Sequence, residues 1–132
     1  DEIFGLCGFN GAGKSTLMAC LTGMQPLTHG SIHVYNTSVT DNLDAVRSHI
    51  GFCPQTNVIW ENLTAREHIE MMSALKGVSV EDNLALLREV GLQREMDKPA
   101  DVLSGGQKRK LSVALALVGN PKLLLLDEPT SG

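Results

Sequence analysis

The stretch that most restricts the fold is Gly8-Phe9-Asn10-Gly11-Ala12-Gly13-Lys14-Ser15, which fits the pattern GxxxxGK[ST]. It follows a short apolar run, residues 3–7, expected to be a buried strand. It leads into Leu17, Met18 and Leu21 at helical spacing, with Gly23 to close the helix. Strand, glycine loop and helix in that order are the context in which the pattern holds phosphate. Glycines let backbone N–H groups turn towards phosphate oxygens, and the helix N-terminus adds partial positive charge. In that setting Lys14 reaches β- and γ-phosphates, the Ser15 hydroxyl ligates Mg²⁺, and Thr16 donates to an inner phosphate.

The rest of the chain reads as α/β with a mostly parallel sheet and a helical insertion. Residues 30–35 alternate as a half-exposed strand, residues 43–49 suit a short helix, and residues 50–53 an apolar strand that Pro54 ends. Thr64-Ala65-Arg66-Glu67 is a capping box, followed by an apolar face at Ile69, Met72 and Leu75 and a stop at Gly77. A second helix, with Leu84, Leu87 and Val90 inward, ends at Gly91. Ser104-Gly105-Gly106-Gln107 has the shape of another capping box, opening a helix with Leu111, Ala114, Leu115 and Val118 on its apolar face. Leu123-Leu124-Leu125-Leu126 is then a strand of the kind buried in parallel sheets.

Composition narrows the function. A chain of 132 residues, 42% hydrophobic, supports one packed domain. A net charge of -4 argues against a dedicated nucleic-acid binder, and Lys108-Arg109-Lys110 reads as a solvated helix face. Cys7, Cys20 and Cys53 never form a CxxC pair and read as reduced core thiols of a cytosolic protein. His29, His33, His49 and His68 lack metal-ligand spacing. No apolar run approaches the ~18 residues of a membrane span.

Asp127 and Glu128 follow the four leucines, placing carboxylates where open α/β sheets bind ligands, at the C-terminal ends of strands. Asp127 can hold Mg²⁺; Glu128, pointing another way, can act as general base on water. Gln55 lies between a buried strand and the helical insertion, where an uncharged donor–acceptor can touch both Mg²⁺ and the neighbouring helices. A phosphate loop with such a strand describes an ATP- or GTP-hydrolysing core.

The order GFNGAGKST, then Gln55, then LSGGQ (Leu103 to Gln107) just before LLLLDEP resembles the ATP-binding cassette (ABC) family over nearly the whole chain. The resemblance implies a P-loop NTPase (RecA-like) domain: core 1–56 and 105–132, helical subdomain about 57–104, truncated at both ends. It implies ATP and Mg²⁺ as ligands. Gly8, Asn10, Gly11, Ala12, Gly13, Lys14, Ser15 and Thr16 would hold ATP; Ser15, Gln55 and Asp127 would hold the metal; Glu128, Lys14 and Gln55 would be catalytic. In this family two cassettes dimerise head to tail, so Ser104, Gly105, Gly106 and Gln107 would serve ATP bound on a second cassette, identical or paralogous.

The run from Gly51 to Trp60 and the later LTAREH and QKRKLS look like subfamily A, the lipid exporters. That implies a module on the cytoplasmic face of a membrane, within an integral membrane transporter. The segment from Val58 to Leu63 would touch the transmembrane domain, with Trp60 exposed or buried in the helical subdomain. Phe9 departs from the family's usual proline. The adenine-stacking aromatic, the aspartate after DEPTSG and the switch histidine would lie beyond this sequence. A soluble ABC protein of translation or DNA repair, or a cassette that binds nucleotide without turnover, are the alternatives.

Overall fold

The computed structural model describes residues 2–130, and the chain divides into two units, 1–47 and 48–132. In the first, the glycine loop runs into α1 (Lys14–Leu21). A hairpin follows, β1 (His33–Val34) against β2 (Thr37–Ser38), with His33 opposite Ser38 and Val34 opposite Thr37. Its two-residue loop, Tyr35-Asn36, has φ of 48° and 62°. Positive φ at both positions is the requirement of the type I′ turn, whose twist suits a tight hairpin, and asparagine tolerates that conformation. Sequence spacing predicts only the first of these strands, because two residues are too few to show alternation. In α2 (Leu43–His49), which crosses the division, Asn42 Oδ1 accepts from Ala45 N–H at 3.1 Å. Arg47 Nε donates to Thr22 O at 3.0 Å, tying α2 to the end of α1.

One expected element is missing here. Residues 3–7 form no strand, and Ile3 is 100% and Phe4 84% exposed. An apolar run becomes a strand only where its N–H and C=O groups meet a ladder, and among the described residues none pairs with it.

The second unit is built around a parallel pair. β3 (Ile50–Cys53) lies beside β4 (Leu123–Leu126) in the register Ile50–Leu123 to Cys53–Leu126, so both strands end level. Asp127 N–H donates to Cys53 O at 2.9 Å, carrying the pairing one residue further. Between the strands come α3 (Ala65–Lys76) and α4 (Val80–Glu89). Thr64 and Glu67 form the expected capping box at α3, and Ser79 caps α4. Gly77 and Gly91 end these helices at φ of 65° and 74°, a conformation glycine adopts without strain. Leu75 departs from the reading: the buried stripe of α3 is Ala65, His68, Ile69 and Ser73, and Leu75, off that stripe, is 74% exposed.

α5 (Gly105–Leu117) is buried on two sides. Leu111, Ala114 and Leu115, with Val118 just beyond the helix, join Ile69, Leu87 and Leu92 in one hydrophobic cluster. Each completely buried leucine or isoleucine there contributes about 1.5–3 kcal/mol. The opposite side carries Arg109, Ser112 and Ala116, all buried and at helical spacing. This side meets β3 at Gly51, where a Cβ would stand 2.0 Å from Ala116 O.

Candidate functional site

The loop from Gly8 to Gly13 is exposed and enters α1 with Gly11 and Gly13 at φ of 83° and 95°. Lys14 Nζ donates back to Gly8 O at 2.8 Å and Phe9 O at 3.2 Å, so the loop curls round its own lysine. Ala12 N–H closes the curl on Phe9 O at 3.0 Å. The N-cap of α1 is Gly13, which offers no side-chain hydrogen bond, and its first turn carries no acidic residue. The leading amides of α1, on Lys14, Ser15 and Thr16, are those a helix leaves without an intrahelical acceptor, and no side chain caps them at Gly13, so they suit a phosphate. Ser15 and Thr16 are exposed, as are Asn10 and Ala12 in the loop.

In the second unit the ends of β3 and β4 bring two of the expected residues together. Gln55 Nε2 donates to Glu128 Oε2 at 2.9 Å, linking groups 73 positions apart in the chain. Asp127 is buried and Glu128 exposed, and Glu128 has φ 45°. The two adjacent carboxylates thus lie in different surroundings, one buried and one exposed. Among the described residues no group of three or more His, Cys, Asp or Glu could hold a metal. Mg²⁺ needs no such cage, since it is bound by one or two carboxylates together with substrate phosphates and water.

At the start of α5, Ser104 Oγ accepts from Gln107 N–H at 3.3 Å, and Gln107 Oε1 accepts from Ser104 N–H at 2.9 Å. The capping box is thus present. Gly105 and Gly106 are exposed, and a Cβ on either would meet nothing within 4 Å. Neither packing nor a left-handed backbone within this chain requires glycine there.

The segment from Val58 to Leu63 is tied down by its backbone. Ala100 N–H donates to Leu63 O at 2.9 Å and Asp101 N–H to Glu61 O at 3.0 Å, joining it to the residues that lead into Ser104. Trp60 is 51% exposed, its ring 5.9 Å from that of His68. Buried His68 accepts Trp60 N–H at Nε2 (2.9 Å), which leaves Nδ1 to donate to Thr64 O at 2.7 Å. A histidine with both nitrogens engaged on backbone has no signature in spacing alone.

Two readings are corrected. Cys53 is a buried thiol and burial pushes its pKa up, but Cys7 is exposed and Cys20 half-buried. Arg109, read as part of a solvated face, is buried and donates to five carbonyls after β3 and β4. A signal existed: Arg109 shares a helix face with Ser112 and Ala116.

A family profile described as "ABC transporter" matches residues 1–131. The chain belongs to the ABC transporter family. This cassette is 44% identical over 138 residues to "ABC transporter A family member 4" of Dictyostelium discoideum. It is also 44% identical over 136 residues to the human "Retinal-specific phospholipid-transporting ATPase ABCA4". Both matches cover 100% of the cassette but only 8% and 6% of those proteins. The solved "Structure of ATP binding subunit of ABC transporter" superposes with a TM-score of 0.83 at 30% identity, over 94% of the cassette and 53% of that chain. The cassette is thus an α/β nucleotide-binding domain of the P-loop type, similar to A-family members. Among the described residues no helix is long and apolar enough to cross a membrane.

Proposed function

We propose that the cassette binds and hydrolyses Mg²⁺-ATP as the cytoplasmic nucleotide-binding module of an integral membrane transporter. The observation that carries the reading is the Gln55–Glu128 hydrogen bond at the level ends of β3 and β4, in a chain of this family. The core comprises 1–56 and 105–132 and the helical subdomain about 57–104. The backbone amides of Gly11, Gly13, Lys14, Ser15 and Thr16, with Gly8, Asn10 and Ala12 shaping the loop, hold the ATP phosphates. Lys14 supplies positive charge to the β- and γ-phosphates. Ser15, Gln55 and Asp127 hold Mg²⁺, which when bound neutralises phosphate charge. Glu128 takes the proton from the attacking water at its carboxylate, and Gln55 orients that carboxylate.

Ser104, Gly105, Gly106 and Gln107 serve the γ-phosphate of ATP held by a second cassette, identical or paralogous. Supporting this, the glycine pair is exposed and a Cβ on either would meet nothing within 4 Å among the described residues, which leaves room for a close approach from outside. The segment from Val58 to Leu63 meets the transmembrane domain, a role favoured by exposed Val58 and Trp60 and by its backbone link towards Ser104. Lipid is the substrate class we propose, supported by the phospholipid-transporting relative.

The test is the full-length protein in phospholipid vesicles, with ATP turnover and labelled-lipid translocation measured together. Both are expected to disappear in Lys14→Ala. Turnover that survives in that variant, or translocation without ATP, would contradict the proposal.

A further inference from the structure

Arg109 is 8% exposed, and a guanidinium that deep needs acceptors for its N–H groups. Its acceptors are all backbone carbonyls except one. Nε donates to Pro129 O at 3.0 Å, and Nη2 to Asp127 O at 2.7 Å and Glu128 O at 3.0 Å. Nη1 donates to Pro54 O and to Gln55 O at 3.3 Å, with Asn57 Oδ1 at the limit of 3.5 Å. Ser112, one turn on, holds the same Asn57 oxygen at 3.1 Å. Among these acceptors there is no carboxylate oxygen.

Those carbonyls fall in two short stretches, immediately after β3 and immediately after β4. These are the stretches that carry Gln55 and Glu128. Glu128 also holds a left-handed backbone, φ 45°, that a glutamate adopts only when its surroundings impose it. A planar fork gripping three successive carbonyls, 127 to 129, supplies that constraint. The same fork fixes the Gln55 backbone, so both side chains of the 2.9 Å Gln55–Glu128 bond hang from one guanidinium.

We infer that Arg109 is a positioning residue for hydrolysis: it sets the Gln55–Glu128 pair from the helix that begins at Ser104. The inference rests on the reading of Glu128 as general base. An arginine present only to fill the core would affect folding and nucleotide binding together. A positioning residue instead lowers turnover in protein that still binds ATP.

The experiment uses the full-length protein and measures ATP binding and steady-state ATP hydrolysis for the parent, Arg109→Met, Arg109→Lys and Glu128→Gln. Arg109→Met is expected to lose about 100-fold in kcat, the effect of a misplaced catalytic group, with KM within about threefold of the parent. Arg109→Lys, which keeps the charge and three donors but not the fork, is expected to recover part of that loss. Parental kcat in an Arg109→Met protein that binds ATP would overturn the inference. If Arg109→Met does not bind ATP, Arg109→Lys decides. A lowered kcat per ATP-binding protein supports the role, whereas turnover that falls only in step with binding overturns it. Parental turnover in Glu128→Gln would remove the base reading, and this inference with it. Loss in Glu128→Gln beside parental turnover in Arg109→Met would remove the inference alone.

Discussion

Gly51 is the point at which a single methyl group should do most damage. A Cβ built on it would lie 2.0 Å from Ala116 O, 2.8 Å from Pro121 Cγ and 3.0 Å from Ala116 C. Cβ atoms essentially never approach closer than 3.0 Å, so β3 and α5 would have to separate by at least the missing 1.0 Å. The obstacle is chiefly backbone, and no rotamer change can clear it. Overpacking of this kind costs about 1–3 kcal/mol, and a main-chain clash belongs at the upper end. With a urea m-value of about 2 kcal/mol/M, a loss of 3 kcal/mol lowers the midpoint by about 1.5 M. The assay is urea unfolding of the cassette followed by far-UV circular dichroism, with Gly105→Ala as control. A Cβ at Gly105 meets nothing, and alanine in a helix is favoured over glycine by up to about 1 kcal/mol. Gly51→Ala within about 0.5 kcal/mol of the parent would refute the packing argument.

Ser73 is fully buried in α3, and its hydroxyl has no hydrogen-bond partner among the described residues. Ser73→Ala should therefore raise stability by about 1 kcal/mol in the same assay, and a fall would mean that the hydroxyl is bonded. Arg66 donates to Asp97 through Nε at 2.6 Å and Nη2 at 3.3 Å, and this holds the Asp97 carboxyl below its usual range. Because the folded value is the lower one, the pair's stabilisation is present above the unfolded value and lost as pH falls through the folded one. The stability difference between the parent and Asp97→Asn should shrink progressively as pH is lowered from neutral through the usual carboxylate range and below it. A difference that stays constant over that range would contradict the assignment.

Where local chemistry dictates structure, the sequence was readable. Thr64 with Glu67, and Ser104 with Gln107, form their capping boxes because side chain and amide are three residues apart in any helix start. β3 and β4 follow from short apolar runs bounded by turn residues. Residues 3–7 show the limit: an apolar pattern gives a strand only if a neighbour completes its ladder. Arg109 shows another. A cation among two lysines reads as surface, and only the level ends of β3 and β4 supply the carbonyls that make burial tolerable. The Gln55–Glu128 bond spans 73 residues and depends on the parallel register, which no local pattern encodes. His68 was invisible for a similar reason, since both its partners are backbone atoms. The glycine loop was legible because its pattern is itself a backbone requirement.

The most direct test of the ATPase account is the fate of ATP on Glu128→Gln in the full-length protein. Radiolabelled Mg²⁺-ATP is supplied to parent and variant, and retained nucleotide is recovered and identified. The account predicts that the parent releases ADP through repeated turnover, while the variant keeps unhydrolysed ATP bound between closed cassettes. Hydrolysis by Glu128→Gln at the parental rate, with no retained ATP, would contradict it.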